Sequence, residues 1–195
     1  LKVAETAPFY IFSTFVVSYA VTTLDYAKGS VLTAVMIGAA VASIMIPIMG
    51  WLSDKVGRKT VYISGILLMA MWVVPYFMLL DTRATWALTL ATVVAVGVLW
   101  APVTAVLGTM SSEIFSTRVR YTGITLGYQL GAALAGGTAP LIATWLLSRY
   151  NGSWQPVAIY LLGTVAISLI AVLAVKSSYK EDDAAAPANS AMKLS

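Results

Sequence analysis

Long apolar stretches separated by short polar segments dominate this chain of 195 residues. A membrane helix needs about 20 mostly apolar residues to cross a hydrocarbon core roughly 30 Å thick. The pattern satisfies this requirement six times and predicts spans over 8–24, 31–52, 60–80, 84–110, 121–147 and 155–175. Pro8 suits the first position of a helix, where the N–H that proline lacks would have no helical partner. We therefore expect an all-α integral membrane protein with six transmembrane helices.

Composition agrees with this pattern and excludes several kinds of chemistry. The chain is 59% hydrophobic and 10% charged, whereas soluble domains carry roughly a quarter charged residues. It contains no cysteine and no histidine, so thiolate or imidazole ligation, disulfides and a histidine base are excluded. We expect no cofactor, no metal site and no enzymatic activity.

Lysine and arginine are distributed unequally between the two sides of the predicted membrane protein. One side holds Lys2, Lys55, Arg58, Lys59, Arg118, Arg120, Lys176, Lys180 and Lys193, and the other holds Lys28, Arg83 and Arg149. The positive-inside rule then places both termini in the cytoplasm. The same rule explains the net charge of +4 better than a nucleic-acid partner does. Residues 177–195 are polar and are predicted to form a disordered cytoplasmic tail.

The fifth predicted span carries small residues at every fourth position, namely Gly123, Gly127, Gly131 and Ala135. Such a stripe lets a neighbouring helix approach closely and predicts a packing seam. A contact that slides during a conformational change is the alternative.

Four charges and two glycines lie between the second and third spans, in the run Gly50-Trp51-Leu52-Ser53-Asp54-Lys55-Val56-Gly57-Arg58-Lys59. Glycine at 50 and 57 would permit a tight turn, and Asp54 could pair with Arg58 or face a helix N-terminus. Every fixed position matches the loop signature of the major facilitator superfamily of transporters, which this segment resembles. The run that contains Glu113, Arg118 and Arg120, followed by Tyr128-Gln129-Leu130-Gly131, resembles the metabolite:proton symporter branch.

The resemblance implies a fold and a set of partners. Such transporters have twelve helices in two halves, and this chain resembles only helices seven to twelve, a C-terminal half built as a 3+3 inverted repeat. The chain begins with Leu1 and not with methionine, which also suggests a fragment. The implied partners are the missing N-terminal half, the lipid bilayer and a small organic substrate. The implied activity is proton-coupled transport across the bacterial inner membrane by alternating access.

The resemblance also suggests which residues serve transport, since the substrate of such proteins lies near the bilayer midplane. Because no charged residue falls inside a predicted span, we expect proton coupling to reside in the missing half. Neutral polar and aromatic residues would line the substrate cavity, with interhelical hydrogen bonding as the alternative: Tyr10, Ser13, Thr14, Tyr19, Trp100, Thr104, Tyr128 and Gln129. A cytoplasmic gate would use Gly50, Asp54, Gly57, Arg58, Lys59, Glu113, Arg118 and Arg120.

Two other classes of function stay open at this point. A self-assembling six-helix channel or scaffold would need a polar lining, which is weak here. A membrane enzyme would need a reactive group, and the chain has no histidine, cysteine or carboxylate within a predicted span.

Overall fold

The computed structural model describes residues 2–114 and 120–174, and for 112–114 and 120–124 it describes the backbone alone. The described residues form six helical stretches. The first helix joins Lys2–Tyr10, Ile11–Phe15 and Val16–Thr22, the second is Lys28–Val56, and the third is Arg58–Asp81. The fourth joins Thr85–Thr92, Val93–Leu99 and Trp100–Ile114. The fifth joins Arg120–Ala132, Ala133–Gly137 and Thr138–Arg149, and the sixth is Gln155–Ala174. The predicted tail and Arg118 lie outside the described residues.

Five of the described helices are long and apolar enough to cross a membrane: Lys28–Val56, Arg58–Asp81, Thr85–Ser111, Thr125–Arg149 and Gln155–Ala174. Their large exposed side chains are apolar, such as Met36 at 71%, Met71 at 73% and Leu141 at 70% exposure. Such surfaces are stable in contact with lipid and unfavourable in water. The chain is therefore a multi-pass, all-α membrane protein.

The first helix begins earlier than the sequence predicts. Pro8 lies inside this helix and not at its first position, and Lys2 and Glu5 both lie on the helix before it. A proline within a membrane helix is tolerated because neighbouring helices satisfy the freed backbone groups. The predicted start of this helix at Pro8 is therefore wrong, and Lys2 and Glu5, which the prediction left outside the helix, lie on it.

The second and third helices meet at a single residue. Gly57 has a φ of +96°, a backbone conformation that residues with a Cβ rarely adopt. It ends one helix at Val56 and starts the next at Arg58. Gly50, by contrast, lies within the second helix and has open space where a Cβ would be. The expectation that Gly50 helps to form the turn is wrong.

Within residues 2–114 and 120–174, three π-helical segments interrupt the α-helices, one each in the first, fourth and fifth: Ile11–Phe15, Val93–Leu99 and Ala133–Gly137. Proline explains two of them, because Pro102 and Pro140 follow the segments at Val93–Leu99 and Ala133–Gly137 and cannot donate to the carbonyl one turn back. π-Helical segments are frequent at functional sites. All three occur on helices that surround the site described below.

Glycines set the closest approaches between helices. A Cβ on Gly97 of the fourth helix would lie 2.8 Å from Val41 Cγ1 on the second, so these helices pack almost backbone to backbone. On the fifth helix, a Cβ on Gly131 would lie 2.8 Å from Lys2 Cβ, and one on Gly136 would lie 2.7 Å from Tyr10 Cε2. Gly127 has open space around it, and the surroundings of Gly123 lie outside the description. The predicted seam therefore holds at Gly131 but not at Gly127, and Gly136 takes part instead.

The core at the far end of the first helix from Lys2 is aromatic. Phe12 and Tyr19 of the first helix contact Tyr76 and Phe77 of the third, and Phe77 stacks on Trp154 at a centroid distance of 5.3 Å. The side chains of Phe12, Tyr19, Tyr76 and Phe77 are almost fully buried. This cluster joins the first, third and sixth helices and leaves the opposite face of the first helix open.

Candidate functional site

A buried ion pair lies on the first helix, between Lys2 and Glu5. Lys2 Nζ is 2.7 Å from Glu5 Oε2, and the two side chains are 19% and 10% exposed. The spacing of three residues places both side chains on one face of the helix. Removal of a charge from water is costly unless it is paired and hydrogen-bonded, so the structure must compensate this carboxylate with further partners.

Hydroxyl groups from two helices supply those partners. The Thr6 hydroxyl donates to Glu5 Oε2 at 2.7 Å, and the Thr104 hydroxyl of the fourth helix donates to Glu5 Oε1 at 3.4 Å. The indole N–H of Trp100 donates to the backbone carbonyl of Glu5 at 3.0 Å. Glu5 is therefore fixed to the fourth helix through both its side chain and its backbone.

The ammonium group of Lys2 has a second partner on the fifth helix. Lys2 Nζ lies 4.3 Å from the centroid of the Tyr128 ring, a geometry that favours a cation–π contact. The Lys2 stem passes over Gly131, where the absence of a side chain leaves room for it. The pair thus joins the first, fourth and fifth helices.

The site lies deep within the bundle. Trp100, which contacts Glu5, is at the middle of the fourth helix, and Gly131, which contacts Lys2, is near the middle of the fifth. An ionisable pair buried between the helices of a membrane protein is rare and is a default marker of function. The arrangement offers one ammonium group, one carboxylate group, and hydroxyl groups that can donate or accept hydrogen bonds.

The predicted cavity residues separate into three groups. Trp100, Thr104 and Tyr128 come together around the Lys2–Glu5 pair, neither member of which was among the predicted site residues. Whether they contact a substrate stays a prediction.

Ser13 and Thr14 line a different feature, an open groove of about 490 Å³ along the first helix. Ser18 and Thr22 continue the polar stripe, and Lys28 closes one end of the groove. The Ser13 hydroxyl also donates to the Phe9 carbonyl at 2.6 Å, which is the intrahelical alternative foreseen for such residues.

Tyr10, Tyr19 and Gln129 are placed apart from both features. Tyr10 packs its ring against Gly136 and is 39% exposed. Tyr19 is 2% exposed and stacks on Phe15 in the aromatic core. Gln129 is exposed on the fifth helix.

The predicted gate residues lie around the junction at Gly57. Arg58 Nη2 donates to Asp54 Oδ1 at 3.5 Å, and the side chains are 33% and 67% exposed. Lys55 Nζ lies 3.7 Å from the centroid of the Trp51 ring, and Lys59 is exposed. The side chains of Glu113 and Arg120 lie outside the description, as does Arg118, so a contact between the two charged segments stays a prediction.

Sequence reasoning missed Lys2, Glu5 and Thr6 because it began the first helix at Pro8. A usable signal was present: glutamate and threonine lie three and four residues after Lys2, a spacing that places all three on one side of a helix. Extension of the helix through Pro8 would have placed that face inside the bundle.

Comparison with known proteins agrees with this architecture. The sequence profile described as Major Facilitator Superfamily matches residues 4–194. The chain is 29% identical over 180 residues to the shikimate transporter of Escherichia coli K12, an alignment that covers 92% of this chain and 41% of that protein. It is 27% identical over 181 residues to the proline/betaine transporter of Salmonella typhimurium LT2, covering 91% of this chain and 35% of that protein. The chain therefore spans well under half the length of these curated relatives. No solved structure is significantly similar to it.

Proposed function

This chain belongs to the Major Facilitator Superfamily, and we propose that it supplies the C-terminal half of a proton-coupled transporter for a small organic acid or related metabolite. The two halves of such a transporter rock about a central site and expose it to each side of the membrane in turn. The missing N-terminal half would cover the polar groove along Ser13, Thr14 and Ser18. The relatives named above, a shikimate transporter and a proline/betaine transporter, support a small polar metabolite as the substrate class.

The observation that carries this proposal is the largely buried Lys2–Glu5 pair, held by Thr6, Thr104 and Tyr128. A buried ion pair contributes little net stability, since the cost of desolvation offsets the Coulomb attraction. A role in the transport cycle would explain why the chain has this ion pair, whereas its small contribution to stability would not.

The proposed orientation places the Gly57 junction in the cytoplasm, in the inner membrane of a bacterium. Lys2 no longer counts as a loop charge, but the asymmetry keeps its sign, as the positive-inside rule requires. The proposed cytoplasmic side still holds Lys55, Arg58, Lys59, Arg118, Arg120, Lys176, Lys180 and Lys193, against Lys28, Arg83 and Arg149 on the other. In this orientation Asp54 and Arg58, with Glu113, Arg118 and Arg120, would form charge contacts that close the inner gate.

Uptake assays in inverted and right-side-out membrane vesicles test the proposal. The whole product of the gene that encodes this chain is expressed in cells that lack shikimate, proline and betaine uptake, with the 195-residue chain alone as the comparison. We expect accumulation of one of these radiolabelled compounds when an acid-outside pH gradient is imposed, and loss of accumulation when a protonophore is added. Accumulation that does not depend on the pH gradient would contradict the proposal. So would a failure to accumulate shikimate, proline or betaine.

A further inference from the structure

We infer that Lys2 binds the carboxylate of the substrate and that Glu5 holds the co-transported proton, so that coupling occurs within this half. The inference rests on the proposed transport function and assigns its two chemical roles to named residues. It reverses the expectation that proton coupling belongs to the missing half.

The first argument is competition for one ammonium group. Glu5 Oε2 is 2.7 Å from Lys2 Nζ. A substrate carboxylate that binds the same ammonium group either displaces Glu5 or lies beside it, and two carboxylates that share one cation disfavour the ionised form of each other. A buried carboxylate that loses its cation is favoured in its neutral form, because the charged form is poorly solvated. Arrival of the substrate anion and protonation of Glu5 are therefore linked.

The second argument is that every group keeps a partner after the exchange. The hydroxyls of Thr6 and Thr104 contact the two oxygens of Glu5, and a hydroxyl can accept a hydrogen bond from a protonated carboxyl as readily as it donates to a carboxylate. Lys2 keeps its contact with the Tyr128 ring, 4.3 Å from Nζ to the centroid. The site is thus compatible with both states of Glu5.

The third argument is the balance of charge. Before binding, the site holds the Lys2 ammonium and the Glu5 carboxylate, with a net charge of zero. After binding it holds the ammonium, one substrate carboxylate and the neutral Glu5 carboxyl, again with no net charge. The proton comes from the outer solution onto Glu5 and is released to the cytoplasm when the substrate leaves. No uncompensated charge is buried at any stage, and an uncompensated buried charge is what makes such pairs costly to break.

Other polar groups that face the pair do not replace Glu5 in this role. Tyr62 of the third helix is buried and within electrostatic reach of Glu5, and Ser168 of the sixth helix accepts from the Ala4 N–H at 3.1 Å. Tyr128 of the fifth helix and Trp100 of the fourth complete the surroundings. The described side chains named here around the pair carry hydroxyl, phenol and indole groups, and the carboxyl group of the site is that of Glu5. This selects a monocarboxylate anion as substrate, because a zwitterion would bring a second cation beside Lys2.

A direct measurement needs no variant. Shikimate, a monocarboxylate, is added to the purified gene product in weakly buffered detergent solution that contains a pH indicator dye. We expect about one proton to be taken up for each shikimate bound, and neither binding nor proton uptake with the methyl ester of shikimate. Binding of shikimate without proton uptake would overturn the inference.

Variants separate coupling from structure. Glu5→Gln holds the site in its protonated form, so we expect at least a tenfold loss of gradient-driven accumulation while counterflow exchange of shikimate is retained. A structural role would change both activities together. The double variant Lys2→Met with Glu5→Gln removes both charges at similar volume and should insert normally but lose shikimate binding. Thr164→Val, a buried position whose hydroxyl donates within its own helix to the Leu161 carbonyl at 2.7 Å, is the matched control.

The outcomes distinguish the inference from the proposed function. Gradient-driven accumulation by Glu5→Gln, or wild-type binding by the double variant, would overturn the inference and leave the transport function standing. Failure of the wild-type protein to transport any of the metabolites would contradict the function itself.

Discussion

Two ion pairs within the described part of the chain have almost the same spacing in sequence but lie in very different surroundings. Lys2 and Glu5 are three residues apart, 2.7 Å between charged atoms, and 19% and 10% exposed. Asp54 and Arg58 are four residues apart, 3.5 Å between charged atoms, and 67% and 33% exposed. The first pair is enclosed between three helices, and the second lies beside a helix junction.

The environment, and not the spacing, decides what each pair contributes. An exposed pair is screened by water and salt and contributes between zero and about 1 kcal/mol. A buried pair contributes little as a pair, but the loss of one partner leaves an unpaired charge in a medium that solvates it poorly. The two regions should therefore respond very differently to the same kind of substitution.

The largest expected effect follows from removal of one partner of the buried pair. Lys2→Met leaves the Glu5 carboxylate without its cation, so we expect the free energy of unfolding to fall by about 3–5 kcal/mol. Chemical denaturation of the detergent-purified protein, followed by tryptophan fluorescence, measures this change.

The double variant Lys2→Met with Glu5→Gln is the internal control for that measurement. It removes the unpaired charge and should recover most of the lost stability. Equal loss in the single and double variants would show that Lys2 acts by packing against Gly131 and Tyr128, and the contrast between the two pairs would then not be electrostatic.

The sequence predicted the architecture well because membrane helices can be recognised from the length and hydropathy of their apolar stretches. It predicted the Asp54–Arg58 pair because the two residues are only four positions apart within a recognisable motif, on either side of the glycine turn. It failed at Glu5 because a charged residue near a proline was placed outside the span. Only the tertiary packing shows that Thr104 and Tyr128, about a hundred residues further along the chain, contact Glu5 and Lys2 and help to bury them.

The second largest effect concerns the glycine beneath Lys2. A Cβ on Gly131 would lie 2.8 Å from Lys2 Cβ, so Gly131→Val should displace the lysine stem and weaken the pair. Overpacking of this kind costs about 1–3 kcal/mol. Denaturation midpoints measure the effect, and Gly127→Val on the same helix, where the space is open, is the matched control. Equal destabilisation by the two variants would mean that contact with Lys2 is not the reason why glycine is needed at position 131.

The glycine stripe shows a second limit of sequence reasoning. Spacing of four residues marked Gly123, Gly127 and Gly131 alike, yet only packing distinguishes Gly131, which contacts Lys2, from Gly127, which has no close neighbour. The π-helical segment Ala133–Gly137 shifts the register of the fifth helix and brings Gly136 against Tyr10. A periodic pattern cannot anticipate such a shift.

A smaller effect is expected at the junction of the exposed pair. Gly57→Ala forces a residue with a Cβ to a φ of +96°, and a left-handed backbone costs a residue other than glycine about 1–2 kcal/mol. Gly50→Ala, within a helix and with open space around it, should be neutral or slightly stabilising because alanine favours helix. Thermal unfolding of the two variants makes the comparison, and a destabilising Gly50→Ala would show that the turn extends further than one residue.

The smallest effect on stability is expected for the exposed pair itself. Asp54→Asn removes a 3.5 Å contact between largely solvated side chains, so the free energy of unfolding should change by less than about 1 kcal/mol. Uptake by the complete transporter should nevertheless fall, because the proposed inner gate needs the charge of Asp54 to close. Insertion and unfolding are measured beside initial uptake rates, with Asp54→Glu as the variant that keeps the charge. Wild-type uptake by Asp54→Asn would contradict a gating role, whereas lost uptake with unchanged stability would show that the weaker of the two ion pairs matters for movement and not for folding.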